Sequence, residues 1–183
     1  MCCILYVPSG IKIPPINTLR AIHRANPHGM GFADADGNHC KTLDLSCFLQ
    51  AIKKRHKDAA CIIHFRLATH GSVTEENCHP FHDPATGIWF AHNGVLPIPS
   101  HDDMTDSEIF FRERFLPMYH GIVDGKRPDL LDEDKERLWR YVESQRGSSR
   151  FIFMRGDMAV KFGQWHARNG VYYSNLNWLY HTY

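Results

Sequence analysis

No stretch of this 183-residue sequence is apolar for long enough to cross a bilayer. Runs such as Ala59-Ala60-Cys61-Ile62-Ile63 and Ile88-Trp89-Phe90-Ala91 fall far below the roughly 20 residues of a membrane-spanning helix. The N-terminus has neither the basic segment nor the long apolar stretch of a secretory signal, so a soluble, cytoplasmic protein is expected. A charge excess is missing too. With 21 Lys and Arg against 20 Asp and Glu, the formal net charge is +1, and nothing in it calls for nucleic acid or an anionic membrane. No Pro/Ser/Gly-rich linker, charge block, low-complexity tract or repeat divides the chain, so residues 1–183 read as one domain. Metal-ligand spacing is absent as well: among 13 histidines and six cysteines, the only tight grouping is Cys78-His79-Pro80-Phe81-His82, without the paired short-spaced ligands of a zinc site. Neither a metal nor a cofactor is expected, and the cysteines read as free thiols.

What is present reads as alternating β and α segments. An apolar strand over residues 2–7 runs into Pro8-Ser9-Gly10, and Asn17 or Thr18 offers an N-cap for a short helix to about Ala25. A glycine-permissive approach at Gly29 and Gly31 leads into a strand, a turn at Asp36-Gly37 and a return strand near residues 39–43. Residues 46–56 form an amphipathic pattern with a basic, solvated last turn, and residues 61–66 and 88–92 read as strands covered on both faces. Thr105-Asp106-Ser107-Glu108 has the form of a capping box opening a helix whose apolar face holds Ile109, Phe110, Phe111, Phe115 and Leu116. A further helix is expected over residues 132–144, burying Leu138, Trp139, Tyr141 and Val142. Strands at 150–154, 158–162 and 171–173 follow. Early and late strands with helices between them predict sheets packed face to face with helices outside.

Four segments carry chemistry. Cys2 stands directly behind Met1; if Met1 is removed, one residue holds both a thiol nucleophile and an α-amine to act as its base. By itself it also reads as a small buried hydrophobe. Arg66 ends a strongly apolar strand, where its planar fork suits a carboxylate, whether of a ligand or of an internal acid. Asn93-Gly94 ends another strand: either a turn, or a side-chain amide and a backbone N–H donating to one developing oxyanion. Asp106 sits where the helix dipole favours an acid, and where a carboxylate facing a pocket would receive an ammonium group.

In order, Cys2, His64-x-Arg66-x-Ala68-Thr69-His70-Gly71, Asn77-x-His79-Pro80-Phe81, Phe90-Ala91-His92-Asn93-Gly94 and Thr105-Asp106-Ser107-Glu108 resemble the class II glutamine amidotransferases of the N-terminal-nucleophile hydrolase superfamily, and their small stand-alone members above all. The loop Asn26-Pro27-His28-Gly29-Met30-Gly31-Phe32-Ala33 also resembles that family. The resemblance implies an α+β fold, the four-layer αββα sandwich. It implies Cys2 as the nucleophile on L-glutamine, Asn93 and Gly94 as the oxyanion site, and Arg66 and Asp106 as partners of the substrate's α-carboxylate and α-ammonium. Thr69 and His70 would line the same pocket. Glutamate and ammonia would result, and because no synthase module follows Tyr183, a separate ammonia-using synthetase or synthase subunit is the expected acceptor. A related amidohydrolase acting on another γ-glutamyl or acyl amide, and a non-catalytic binding or assembly descendant, are the alternatives. Two departures stand out: only residues 95–104 separate Gly94 from Thr105, and Leu67 stands where some members have tryptophan.

Overall fold

Side-chain alternation along the strands sets the layering, because successive residues point to opposite faces of a sheet. In β1 (Cys3–Val7), Cys3, Leu5 and Val7 face one way and Ile4 and Tyr6 the other. The computed structural model describes residues 1–68, 71–99, 101, 104–123 and 132–181. The first set of β1 side chains joins Cys61, Ile63 and Phe65 of β4 (Cys61–Phe65) in a core with α1 (Ile16–Ala25) and α2 (Leu45–Lys53). The second set meets Trp89 and Ala91 of β6 (Ile88–Asn93) and Ile152 and Met154 of β7 (Arg150–Arg155).

Among the described residues one sheet runs β3–β2–β4–β1–β10–β9, where β2 is Met30–Asp34, β3 His39–Thr42, β9 His166–Arg168 and β10 Val171–Tyr173. The other runs β5–β6–β7–β8, with β5 Phe81–Asp83 and β8 Met158–Phe162. Every ladder is antiparallel. Continuous apolar strands usually mark parallel sheets; here each sheet is covered on one face by helices and on the other by its partner sheet. The outer face of the second sheet packs Phe81, Phe90, Phe151 and Phe153 against Phe110, Phe111 and Phe115. Those last three residues belong to a helical stretch made of α3 (Asp106–Ile109), a π-helical turn (Phe110–Phe115) and α4 (Leu116–Val123), while α5 (Asp132–Arg146) adds Leu138 and Val142. The result is the expected α+β sandwich of four layers. Among the described residues no helix is long and apolar enough to cross a membrane.

Several local expectations shift. The first helix starts behind Pro15 with no side-chain cap rather than at Asn17 or Thr18: proline's fixed φ and missing N–H already suit a helix start. The second starts one residue before Ser46, because the Asp44 carboxylate accepts the Cys47 N–H at 2.7 Å. Its basic end is not wholly solvated. Arg55 is buried, and its guanidinium donates to the carbonyls of Ala59 (2.6 Å), Lys57 (3.1 Å) and Ile11 (3.4 Å). Half of the capping box forms: Thr105 Oγ1 accepts from Glu108 N at 3.3 Å, while the Glu108 carboxylate takes Arg112 Nε at 2.7 Å. The π-helical turn ends two residues before Pro117, which has no N–H for the ladder and crowds the carbonyl of Glu113, four residues back and within the turn, so the register slips there. In α5, Trp139 and Tyr141 are only partly buried. The three-residue β5 and β9 are too short for periodicity to reveal.

Candidate active site

The ends of three strands and the start of one helix converge on a cleft enclosing about 380 Å³ of space open to solvent. Cys2 precedes β1, Arg66 follows β4, Gly94 follows β6, and Asp106 opens α3; all four line the cleft. Pairing of Cys3 with Phe65 across β1 and β4 brings the first two side by side.

The Cys2 thiol rests on the Leu67 peptide, with Leu67 N–H donating to Sγ at 3.3 Å and Sγ lying 3.5 Å from the Leu67 carbonyl. The Cys2 carbonyl accepts from Asn175 Nδ2 at 2.6 Å. Burial pushes the thiol pKa up, and the Leu67 N–H, the N-terminal charge and Arg66 oppose that only in part. Such a thiol is protonated at neutral pH and needs a base before it attacks anything. The peptide beneath it is itself fixed: Arg66 N donates to Gly29 O (2.8 Å), His28 N to Arg66 O (2.9 Å) and Ala68 N to His28 Nδ1 (3.0 Å). This accounts for the glycine-rich approach. A Cβ on Gly31 would run into the His79 carbonyl, with the Cys40 carbonyl 3.0 Å away, so only glycine lets this strand come so close.

Arg66 is buried, and its Nη1 donates to Ser72 O at 2.7 Å. Asn77 Nδ2 holds the same turn through Ser72 O and Oγ, both at 3.2 Å. The Asp106 carboxylate accepts Leu96 N at 2.7 Å on Oδ2, and Ser107 N at 2.8 Å and Ser107 Oγ at 3.2 Å on Oδ1. That bond to Leu96 anchors the short segment after Gly94. Asn93 behaves differently from its neighbour: it faces the space between the sheets, is fully buried, donates from Nδ2 to Ser174 Oγ at 2.9 Å and is not part of the cleft wall. Thr69 and His70 lie outside the described residues.

Three buried histidines went unassigned in the sequence. His64, in the inward register of β4, lies 4.3 Å from His79 between ring centroids, and His79 lies 6.5 Å from His92. His79 and His92 also line the cleft. A carboxylate only accepts, so the Ser107 hydroxyl donates to Asp106 and accepts from His92 Nδ1, 2.7 Å away. His92 is thereby fixed with its proton on Nδ1. The sequence signal for the group was a histidine in place of an aliphatic residue within an otherwise apolar strand, His64 after Ile62 and His92 after Phe90.

Burial is the leading cause that lowers all three pKa values: His64 to about 3, with Arg66 adding to the effect, His92 to about 4, and His79 well below its ordinary value. In the unfolded chain each titrates near ~6.5. Below that pH the unfolded state binds more protons, so stability present above about pH 6.5 is lost as the pH falls towards the folded values. The slope is up to about 1.4 kcal/mol per pH unit for each imidazole. Urea denaturation between pH 7.5 and 5 should show a falling midpoint, and His64→Gln should make that fall shallower. A flat wild-type profile would contradict the buried neutral cluster.

This geometry frames the comparison with known proteins. Residues 32–122 match the family described as class II glutamine amidotransferases. No curated protein matches the sequence. Among solved structures, it is similar to glutamine phosphoribosylpyrophosphate (PRPP) amidotransferase from B. subtilis complexed with ADP and GMP, with TM-score 0.55 and 16% identity over 94% of this chain and 41% of that one. It is also similar to the allosteric regulatory enzyme of purine biosynthesis, with TM-score 0.50 and 19% identity over 84% and 35%. The chain therefore spans well under half the length of these proteins, and at such identity the likeness concerns the fold.

Proposed function

We propose that residues 1–183 act as one cytoplasmic glutaminase domain that hydrolyses L-glutamine and delivers ammonia to a separate ammonia-using synthetase or synthase. The observation that carries this reading is the convergence of Cys2, Arg66, Gly94 and Asp106 on one small cleft. Two opposite charges beside a nucleophile match a zwitterionic amino acid whose side chain is to be cleaved. Asp106 has three acceptor sites occupied, and a carboxylate has about four, so an ammonium group can still be received. Arg66 takes the α-carboxylate.

With Met1 removed, the Cys2 α-amine accepts the thiol proton and the thiolate attacks the side-chain amide carbon. Charge collects on the amide oxygen, where the Asn93 side-chain amide and the Gly94 N–H donate. Collapse breaks the C–N bond, and the ammonium just formed on Cys2 returns its proton to the leaving nitrogen as ammonia departs. Water then attacks the γ-glutamyl thioester, giving glutamate and the free thiol.

Assays of glutamate and ammonia release from L-glutamine test the reaction, and Arg66→Lys tests the substrate. Loss of the planar fork should raise KM for glutamine about tenfold or more, with kcat changed by less than about threefold, the pattern of lost ground-state binding. An indifferent KM would favour an amide substrate without an α-carboxylate.

A further inference from the structure

The oxyanion role proposed for Asn93 raises a question of orientation. Its side chain is fully buried between the sheets, and one terminal amide atom touches the Ser174 hydroxyl while the other, Oδ1 as placed, has no partner. Ser174 is fully buried too, and its Oγ lies 2.8 Å from Ile4 N. A backbone N–H can only donate, so the Ser174 hydroxyl accepts there and keeps its own proton to give away. If Asn93 also donates to it, that proton has no acceptor among the described contacts, and the Asn93 oxygen is orphaned as well. Turning the amide by 180°, which exchanges two atoms of nearly equal size, removes both faults. The Ser174 O–H then donates to Asn93 Oδ1, and the amide NH₂ becomes the unsatisfied end. An unsatisfied buried donor is costly in the resting protein and is what a transient oxyanion would satisfy.

We propose that Ser174 is a positioning residue that sets the Asn93 amide with its NH₂ turned towards the oxyanion, and that it couples this donor to the strand carrying the nucleophile. Ser174 follows β10, its N–H donates to Ile4 O at 2.9 Å, and its hydroxyl takes Ile4 N. The next residue, Asn175, holds the Cys2 carbonyl. One dipeptide from the far end of the chain thus touches the nucleophile's residue, its strand and the residue proposed to hold the oxyanion. This role rests on the glutaminase reading, although the Ser174–Asn93 contact does not.

The test is a double-mutant cycle in glutamine hydrolysis. Ser174→Ala should lower kcat about ten- to hundredfold with KM changed by less than about twofold. Asn93→Ala should lower kcat about 10²- to 10³-fold, as loss of one oxyanion donor does. Since Ser174 acts through Asn93, the double variant should be no slower than Asn93→Ala alone. Multiplying losses, or a shift confined to KM, would overturn the positioning role, and Ser174→Cys, which keeps a donor of similar shape, should recover part of kcat. A second readout needs no turnover: in ¹⁵N spectra, the Asn93 side-chain NH₂, identified by its loss in Asn93→Ala, should exchange within about twofold of the wild-type rate in folded Ser174→Ala, because it donates nothing to Ser174. Exchange at least tenfold faster would show that the NH₂ donates to Ser174 and overturns the proposed orientation, whereas an inert wild type with the expected exchange result would overturn the glutaminase reading alone.

Discussion

Replacement of Cys2 by alanine is expected to abolish glutamine hydrolysis, with a loss of about 10⁴-fold or more, the scale seen when a covalent nucleophile is removed. The fold should survive. The side chain is half-buried at the end of a strand, and among the described residues its hydrogen-bonding contacts are with the Leu67 peptide, so stability should change by no more than about 1 kcal/mol. A glutamine-shaped diazoketone should add one mass equivalent to the wild type, at Cys2, and none to Cys2→Ala. Selectivity follows from the other thiols. Cys3 and Cys61 are buried, burial pushes Cys61 up to about 12, and Cys78 is pushed up to about 11. Cys47 is exposed and not part of the cleft wall, and should react with a general alkylating agent and not with the glutamine mimic. Intact mass should also show that the labelled fraction has lost Met1. With Met1 attached, the Cys2 nitrogen is a peptide nitrogen and cannot serve as the base. Labelling of Cys2 in Met1-bearing protein at the same rate would contradict the proposed proton path.

Gly94→Ala should cause the second-largest loss, and for two separable reasons. The backbone there has φ of +153°, and an added Cβ would run into the Ser149 hydroxyl while lying 2.7 Å from Ser149 Cβ and 3.0 Å from His92 Nε2. Overpacking of this kind costs about 1–3 kcal/mol. Displacing the Gly94 N–H should in addition lower kcat about 10²- to 10³-fold. Adding Ser149→Gly opens the space, so thermal stability should largely return. Turnover should stay low, because the φ that aims the N–H still disfavours a Cβ. Full recovery of kcat in the double variant would show that packing against Ser149, and not the direction of the backbone donor, accounts for the loss.

The layering and the cleft residues were legible because each depends on short-range pattern. The continuous apolar runs at residues 2–7 and 61–65 mark strands buried on both faces, and the pairing of Thr105 with Glu108 marks a helix start within four residues. Local chemistry also singled out Cys2, Arg66, Gly94 and Asp106, which share the cleft. What escaped depends on partners far apart in the chain. Arg55 reads as a surface charge until the loop carbonyls around Ala59 and the distant Ile11 carbonyl are placed around it. Asn93 reads as a donor to the cleft, and only the position of Ser174, 81 residues later, shows what else holds it. The histidine cluster takes one ring from β4, one from the segment before β5 and one from β6, so no single motif displays it.

The placement of β1 has a further consequence for how the enzyme is made. That strand lies between β4 and β10, its residues pairing with partners near position 63 on one side and position 172 on the other. Contacts of such sequence separation form slowly, because a long loop must close before they repay its entropy. During synthesis β1 therefore waits for β10, and until residues 171–175 arrive its second edge stays unpaired and the Cys2 carbonyl unheld. A thiol that needs a fixed neighbourhood to react is thus withheld from chemistry until β10 has joined the sheet.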